Sequence, residues 1–302
     1  MDPSHILVWN VRGLNSQARR DAVRTIVDSS KVDVVCFQET KMPAVNRQCI
    51  LSMPGADFDN NFIFLPSVGA SGGLLIAWRA CLGVVSSSRV DNFSASVQFC
   101  PSEGPPWWLT CVYGPQENQA KIQFLQELRD IRALCADPWL VAGDFNLIYK
   151  DEDKNNNNLN RAMMGRFGRW VNDMAVTELP LHGRKYTWSS SSTSASPTFV
   201  KLDRVFCSME WEELFPDCLL QSCASSDSDH CPLLLGLQDS PPSKRRFHFE
   251  AFWPNLDGFM DFCSSPTLPI GNTISETQGD SKKIAELEPK ICGPSQFSIV
   301  SC

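Results

Sequence analysis

The chain has 302 residues, 43% of them hydrophobic and 20% charged, with a formal net charge of −7 and a pI near 5.2. That length and apolar content give one large domain or two small ones with a sizeable core. The acidic balance excludes a general electrostatic grip on nucleic acid, which rests on Lys and Arg, and no apolar run approaches the ~18–20 residues of a membrane span.

The charge is uneven: residues 1–50 hold seven basic and five acidic side chains, residues 201–240 two basic and eight acidic. The 13 cysteines form no CxxC pair and no His-Cys spacing for zinc. The opening "MDPSHILVWN" lacks the basic and apolar regions of a secretory signal. Free thiols and an intracellular, non-secreted protein, nuclear or cytoplasmic, are therefore expected.

In chain order, "HILVWNV" reads as a first strand. "SQARRDAVRTIVDSS" follows as a helix with Ser16 as its N-cap, and then comes the strand "VDVVCFQET". Four short apolar runs come next, "NFIFLPS", "GGLLIAWR", "SASVQFC" and "WWLTCVYG". An amphipathic helix, "ENQAKIQFLQELRDIRALC", presents Ile122, Leu125, Leu128, Ile131 and Leu134 on one face. After the strand "PWLVAGDFN" lie a polar loop, "KDEDKNNNN" (150–158), and a third helix, "RAMMGRFGRWVNDMAV". "KYTWSS", a serine-rich loop "SSSSTSASP" (189–197), the strand "VKLDRVFCS", a short helix "MEWEELF" and the strand "CPLLLGL" complete the pattern. Successive strands in the middle with helices before and after predict α/β layering around a largely antiparallel sheet, with no regular βαβ repeat. Past about residue 239 the character changes. Residues 240–262 read as a connector and 263–302 as poorly ordered.

Polar side chains recur where these strands end: Asn10, Glu39, Tyr113, Asp144 with Asn146, Asp203, and Asp229 with His230. Taken singly each has an ordinary reading. "GDFN" is as well explained by a turn, "QET" by a strand running into a cap, "SDH" by a surface loop. As a set they are four carboxylates, a histidine, a tyrosine and two carboxamides, a costly group to bury without purpose.

The ordered series "WNVRGLN", "QETK", "VYGP", "GDFN", "KLDR" and "SDH" resembles the endonuclease/exonuclease/phosphatase superfamily, over about residues 5–238. Within it, "VWNVRGLNSQARRDAVR", "LHGRKYTWSS" and "KLDRVFCS" look like the endonuclease domain of plant LINE-type (non-LTR) retrotransposons, and "RRFHFEAFWPNLDGF" resembles the connector towards their reverse transcriptase. The resemblance implies a DNase I-like four-layer α/β sandwich spanning residues 1–239, with two packed, mainly antiparallel sheets flanked by helices. It implies a monomeric Mg²⁺-dependent endonuclease (Mn²⁺ as the alternative ion) that nicks DNA, derived from such an element. A reverse transcriptase from another element is an implied partner; no membrane is. An inactive relic of the domain, or a phosphatase or phosphodiesterase of the same fold, remains open. The "FVKLDRVF" stretch lacks the Pro and Trp-Cys of the inositol phosphatases.

Phosphodiester hydrolysis needs an oriented, activated water and neutralisation of the phosphoryl and leaving oxygens. Asp144 is expected to activate the water, with Asn146 and Asn10 fixing it. His230 is expected to donate to a phosphate oxygen while Asp203 holds its tautomer. Glu39 is an expected metal ligand and Asp229 either a further one or a residue that tunes His230, Tyr113 is expected to approach the phosphate, and Lys41, Arg12 and Thr187 are expected phosphate or DNA contacts. Arg161, Arg166, Arg169, Arg184 and Lys185 are further candidates on one face. Many repair members of the superfamily carry "N-x-D" in the first motif; here it is Asn10-Val11-Arg12. That disfavours abasic-site repair and leaves the number of metal ions open.

Overall fold

The first strand sets the layering. In Ile6–Asn10 the side chains alternate in direction and every residue is buried, because Ile6 and Val8 face one apolar cluster and Leu7 and Trp9 another. A strand covered on both faces reads as a continuous apolar run. The computed structural model describes residues 5–69, 71–135, 137–190, 197–224 and 228–237. Pro197 apart, these belong to one compact unit.

The first half of the chain supplies β1 (Ile6–Asn10), β2 (Val34–Gln38), β3 (Phe62–Val68), β4 (Ser71–Trp78), β5 (Val84–Val90), β6 (Ser94–Cys100), β7 (Trp107–Tyr113) and β8 (Trp139–Asp144). The second half adds β9 (Val176–Glu178), β10 (Leu181–His182), β11 (Trp188–Ser189), β12 (Phe199–Val200), β13 (Asp203–Ser208), β14 (Cys218–Ser222) and β15 (Leu233–Leu237). The helices are α1 (Gln17–Ser30), α2 (Arg47–Ser52), α3 (Asn118–Leu134), α4 (Arg161–Asp173) and α5 (Met209–Leu214). A seven-stranded sheet runs β10-β14-β15-β1-β2-β4-β3, a six-stranded sheet β5-β6-β7-β8-β13-β9, and β11 pairs with β12 alone. Pairing is mainly antiparallel, with parallel contacts at β1/β2, β7/β8 and β10/β14.

The sheets pack face to face. Ile6, Val8, Cys36 and Ile76 of one share a cluster with Val97, Leu109, Leu140, Ala142 and Val205 of the other. The outer face of the seven-stranded sheet buries Val23, Val27 and Ile50 of α1 and α2. The outer face of the six-stranded sheet buries Phe124, Leu128, Phe167 and Trp170 of α3 and α4. The result is the expected four-layer sandwich: helices, sheet, sheet, helices.

Several local expectations are corrected. The buried face of α3 is Phe124, Leu125, Leu128 and Ile131, while Ile122 and Leu134 are exposed, because the 3.6-residue stripe drifts across the sheet and leaves its two ends uncovered. The third helix stops at Asp173, and Val176 already belongs to β9. The loop 150–158 contains a helical turn at Asp151–Asp153 with Asp153 buried. β5, "VVSSSRV", escaped the sequence pattern because it is an edge strand exposing polar side chains. The short elements α2, β9, β10 and β14 carry too few residues for a period to show. The ten described cysteines are free, and among the described residues no helix is long and apolar enough to cross a membrane. The connector 240–262, the tail 263–302 and most of the serine-rich loop lie outside the described residues.

Candidate active site

Register brings the strand ends to one mouth. Tyr113 pairs with Asp144 across parallel β7 and β8, and Asp203, the first residue of β13, pairs with Asp144 from the other side. Two glycines allow the approach. A Cβ on Gly143 (φ +142) would lie 2.2 Å from the Val112 carbonyl oxygen, and one on Gly114 2.0 Å from that of Phe145. The glycines of "GDFN" and "VYGP" therefore let backbone pack on backbone beside the polar residues.

Across the sandwich, Asn10 at the end of β1 donates from Nδ2 to Asp144 Oδ2 at 2.9 Å. The other carboxylate oxygen accepts the Asn146 backbone N–H at 2.9 Å, and Asn146 Nδ2 lies 3.2 Å from Oδ2. Gln116 Nε2 donates to Asn146 Oδ1 at 2.7 Å and fixes that carboxamide. The chain thus clamps Asp144 between the two carboxamides the sequence placed with it.

The histidine arrives on the segment before β15. Ser228 Oγ donates to the Asn10 carbonyl (2.8 Å) and accepts the His230 N–H (3.1 Å), while the Trp9 indole donates to the His230 carbonyl (3.1 Å). The ring is 5% exposed. Its Nδ1 is 2.8 Å from Asp203 Oδ2 and its Nε2 3.8 Å from Asp144 Oδ2. Asp203 accepts from Nδ1–H, and Nε2 is turned towards Asp144 and the cleft.

Charge and burial tune this pair. Burial pushes Asp144 up from the usual carboxylate value and the Asp203 charge adds to it, against His230 and the Asn10 hydrogen bond, to about 6. Burial alone favours neutral His230, but the Asp203 and Asp144 charges overcome it and raise the imidazole to about 9. Tyr113 is raised by burial and by the charges of Glu39 and Asp144, so its phenol stays protonated and hydrogen-bonded to Glu39.

The remaining expected residues fall differently. Glu39 stands at φ +53 after β2, ion-paired with Lys41 at 2.9 Å. Lys41 is thereby turned to Glu39. Thr187 is 2% exposed, and its hydroxyl accepts the backbone N–H groups of Leu202 and Asp203 at 3.0 and 2.9 Å; it holds the start of β13 and does not reach the surface. Asp229 is paired with Arg12. Arg12, Glu39, Lys41 and Asn146 all carry positive φ, a concentration of backbone strain typical of functional sites.

A cleft of about 530 Å³ lies over these groups, lined by Asn10, Arg12, Glu39, Tyr113, Asp144, Asn146, Asp229 and His230. Its wall also includes Gln116, Lys121, Lys154, Trp188, Met163 and Met164, which sequence reasoning missed. Lys121 sits in the first turns of α3, and burial lowers its ammonium against the pull of Asp144; a lone lysine on an amphipathic helix gives no local signal. Arg161, Arg166, Arg169, Arg184 and Lys185 are absent from the wall. Arg161 pairs with Asp151, and Lys185 lies over the Tyr186 ring.

The donors suit a hard divalent cation. Asp144, Asp203 and His230 place ligand atoms within 4.8 Å of one another, a set that could hold a metal ion. Asp203 and His230 hold each other through Oδ2 and Nδ1 at 2.8 Å, which leaves Asp203 Oδ1 buried without a hydrogen-bond partner among the described residues and Nε2 turned towards Asp144. Glu39 and Asp144 also line the open cleft, and their hard oxygens suit Mg²⁺ or Mn²⁺, which would displace the Lys41 ammonium from Glu39.

A four-layer sandwich with polar strand ends gathered in one cleft is the architecture of the DNase I-like class. Residues 7–230 match the Endonuclease/Exonuclease/phosphatase family, and the chain belongs to it. The solved structures it resembles include the AP endonuclease LMAP from Leishmania major (15% identity, TM-score 0.58, covering 78% of this chain and 87% of that one). The 3′ phosphatase NExo from Neisseria, bound to a product DNA hairpin, is similar over 78% of this chain and all of its own (14%, TM-score 0.59). The endonuclease domain of TRAS1, a telomere-specific non-LTR retrotransposon, matches over 79% of this chain and all of its own (12%, TM-score 0.55). At these identities the likeness shows the shared fold. No curated protein sequence matches the chain.

Proposed function

We propose that the chain is a divalent-metal-dependent phosphodiester hydrolase that nicks one strand of DNA, leaving 3′-OH and 5′-phosphate ends, and that it derives from a non-LTR retrotransposon. The observation that carries this reading is the clamped Asp144: a buried carboxylate held by Asn10 and Asn146, 3.8 Å from the Nε2 of an Asp203-braced histidine. Above about pH 6 Asp144 is ionised and accepts a proton from the attacking water, which the two carboxamides orient. Below about pH 9 His230 is an imidazolium and donates Nε2–H to a phosphoryl oxygen as negative charge builds there. Glu39, with Asn10 and Asp144 beside it, would hold Mg²⁺ or Mn²⁺. When bound, the ion neutralises charge on the phosphoryl and leaving oxygens. Tyr113 keeps its phenolic proton and fixes Glu39 by a hydrogen bond. The reverse-transcriptase partner and monomeric state belong to this proposal; the retrotransposon origin rests on the motifs "VWNVRGLNSQARRDAVR", "LHGRKYTWSS" and "KLDRVFCS".

The test is conversion of supercoiled plasmid to open circle with Mg²⁺ or with EDTA. The native chain is expected to nick only with metal. Asp144→Asn is expected to slow nicking by roughly 10²–10⁴-fold, and His230→Ala by about 10²–10³-fold. A folded native chain inert with both Mg²⁺ and Mn²⁺ would leave only the fold's history, or a different phosphate ester as substrate.

A further inference from the structure

The buried stripe of α3, Phe124, Leu125, Leu128 and Ile131, packs over β7 and β8 in one cluster with Val112, Val141 and Phe145. One helical turn earlier, three and four positions before Phe124 and Leu125, the same face carries Lys121. α3 begins at Asn118, just after β7 ends at Tyr113, so its first turns lie where Tyr113 and Asp144 close their paired strands. The stripe thus runs past its last apolar contact and sets a lysine in the cleft wall with Gln116, Asp144 and Asn146. Lys121 is half-buried, and burial lowers its ammonium against the pull of Asp144. The other cations of the cleft have acceptors in the protein. Arg12 has Asp229 at 2.6 Å, Lys154 the Asn158 carbonyl at 2.7 Å and His230 Asp203 at 2.8 Å. Among the described residues the Lys121 ammonium pairs with no carboxylate and no hydrogen-bond acceptor. Taking an ammonium from water without a partner costs free energy, and no contact within the protein offsets it.

We propose that Lys121 is a substrate-binding residue, held without a protein acceptor so that its ammonium meets a phosphate of the DNA strand in the cleft. An ammonium is a compact charge with three donors on a flexible stem, and a phosphodiester oxygen replaces the water that burial takes from it. The cost of the half-buried charge then falls on the free protein and is recovered on binding. A lysine that only covered apolar surface with its stem would keep its head in water and add nothing to affinity. That the anion is a DNA phosphate rests on the hydrolase reading above; that Lys121 is kept for an anion does not.

The test is binding of a fluorescent duplex oligonucleotide to the full chain in EDTA, followed by anisotropy over a salt series, for native, Lys121→Met, Lys121→Arg and Lys31→Gln proteins. Lys31 is exposed and precedes β2 at the strand end away from the cleft, so its variant controls for the loss of one charge. Lys121→Met is expected to weaken binding about tenfold and to make the salt slope shallower by about one. Lys121→Arg is expected to restore the slope, and Lys31→Gln to change neither quantity. Unchanged affinity and slope in Lys121→Met would overturn the inference, as would an equal loss in Lys31→Gln or a native chain that binds no duplex. In urea at pH 7, Lys121→Met is expected to unfold at a higher midpoint than the native chain, because it removes an unpaired ammonium; a lower midpoint would assign the charge to the fold and overturn the inference too. A native chain whose binding depends on Lys121 but that nicks no plasmid with Mg²⁺ or Mn²⁺ would sink the hydrolase reading and leave the anion contact standing.

Discussion

Asp144 is 1% exposed, yet its proposed role as a proton acceptor requires it to ionise. Its value near 6 and that of His230 near 9 set a working window between them. The nicking rate is expected to rise with pH through about 6 as Asp144 loses its proton, and to fall through about 9 as His230 does; a pH–rate profile from 5 to 10 checks both limbs. Asp203→Asn removes the brace of His230 and is expected to lower the rate about 10–100-fold and to move the alkaline limb to lower pH. A variant with the full rate and an unmoved limb would show that Asp203 does not set the histidine. Stability has the opposite sign at Asp144. Its folded value is raised above the ordinary 3.8, so ionisation costs the folded state nothing below that value and the full amount above about 6. Asp144→Asn is therefore expected to flatten the loss of stability that this carboxylate causes in the native chain between pH 3 and pH 7. Urea unfolding at the two pH values measures it.

Among the elements, β13 matters most, because it carries Asp203 towards the cleft and Arg204 away from it. Arg204 is fully buried, with Nη2 2.7 Å from Asp153 and Nη1 2.6 Å from Glu178. Lys201 and Tyr149 also reach Glu178, at 2.8 and 2.5 Å. This network ties the 151–153 turn and β9 to the strand that positions Asp203. Against burial, the Arg204 and Lys201 charges hold Glu178 down at about 2. Its contribution to stability is present above the ordinary 4.5 and is lost as pH falls through about 2. Arg204→Met takes the guanidinium from buried Asp153 and leaves Glu178 only Lys201 and Tyr149, and is expected to cost about 3–5 kcal/mol, read as a lower urea midpoint. Gly143→Ala, with its Cβ against the Val112 carbonyl, is expected to cost more than about 1 kcal/mol by the same measurement.

For the whole molecule, a net charge of −7 means that the proposed DNA substrate would have to be met locally. The cleft's cations are Arg12, Lys121, Lys154 and the protonated His230, so the logarithm of DNA affinity is expected to fall with the logarithm of salt at a slope no steeper than about −4. A slope several times steeper would place binding on another surface. The imidazolium of His230 depends on both sheets, since its carboxylate partners come from β8 and β13 and its support from β1. Raised from the ordinary 6.5 to about 9, it contributes stability that is complete below 6.5 and is lost as pH rises through about 9. His230→Gln is expected to remove that alkaline dependence from the unfolding midpoint.

By itself the sequence determined the main strands, helices α1, α3 and α4, and the order of polar residues at strand ends. Those features are written locally: continuous apolar runs for strands covered on both faces, a 3.6-residue period for helices, and Gly-Asp or Gly-Pro where a strand stops. Asn10, Asp144, Asn146, Asp203 and His230 were legible in that way, since a polar group ending an apolar run stands out from its neighbours. The tertiary structure decided which of them meet and what else joins them. Asn10 and Asp144 are 134 positions apart and Arg12 and Asp229 are 217, and only strand register and sheet packing fix such distances. The same packing turned Thr187 inward, brought Lys121 and Gln116 to the wall, and buried Arg204. A surface helix residue, a buried ion pair and a hydroxyl bonded to backbone have no pattern of their own along the chain; each acquires its role from the atoms that folding places beside it.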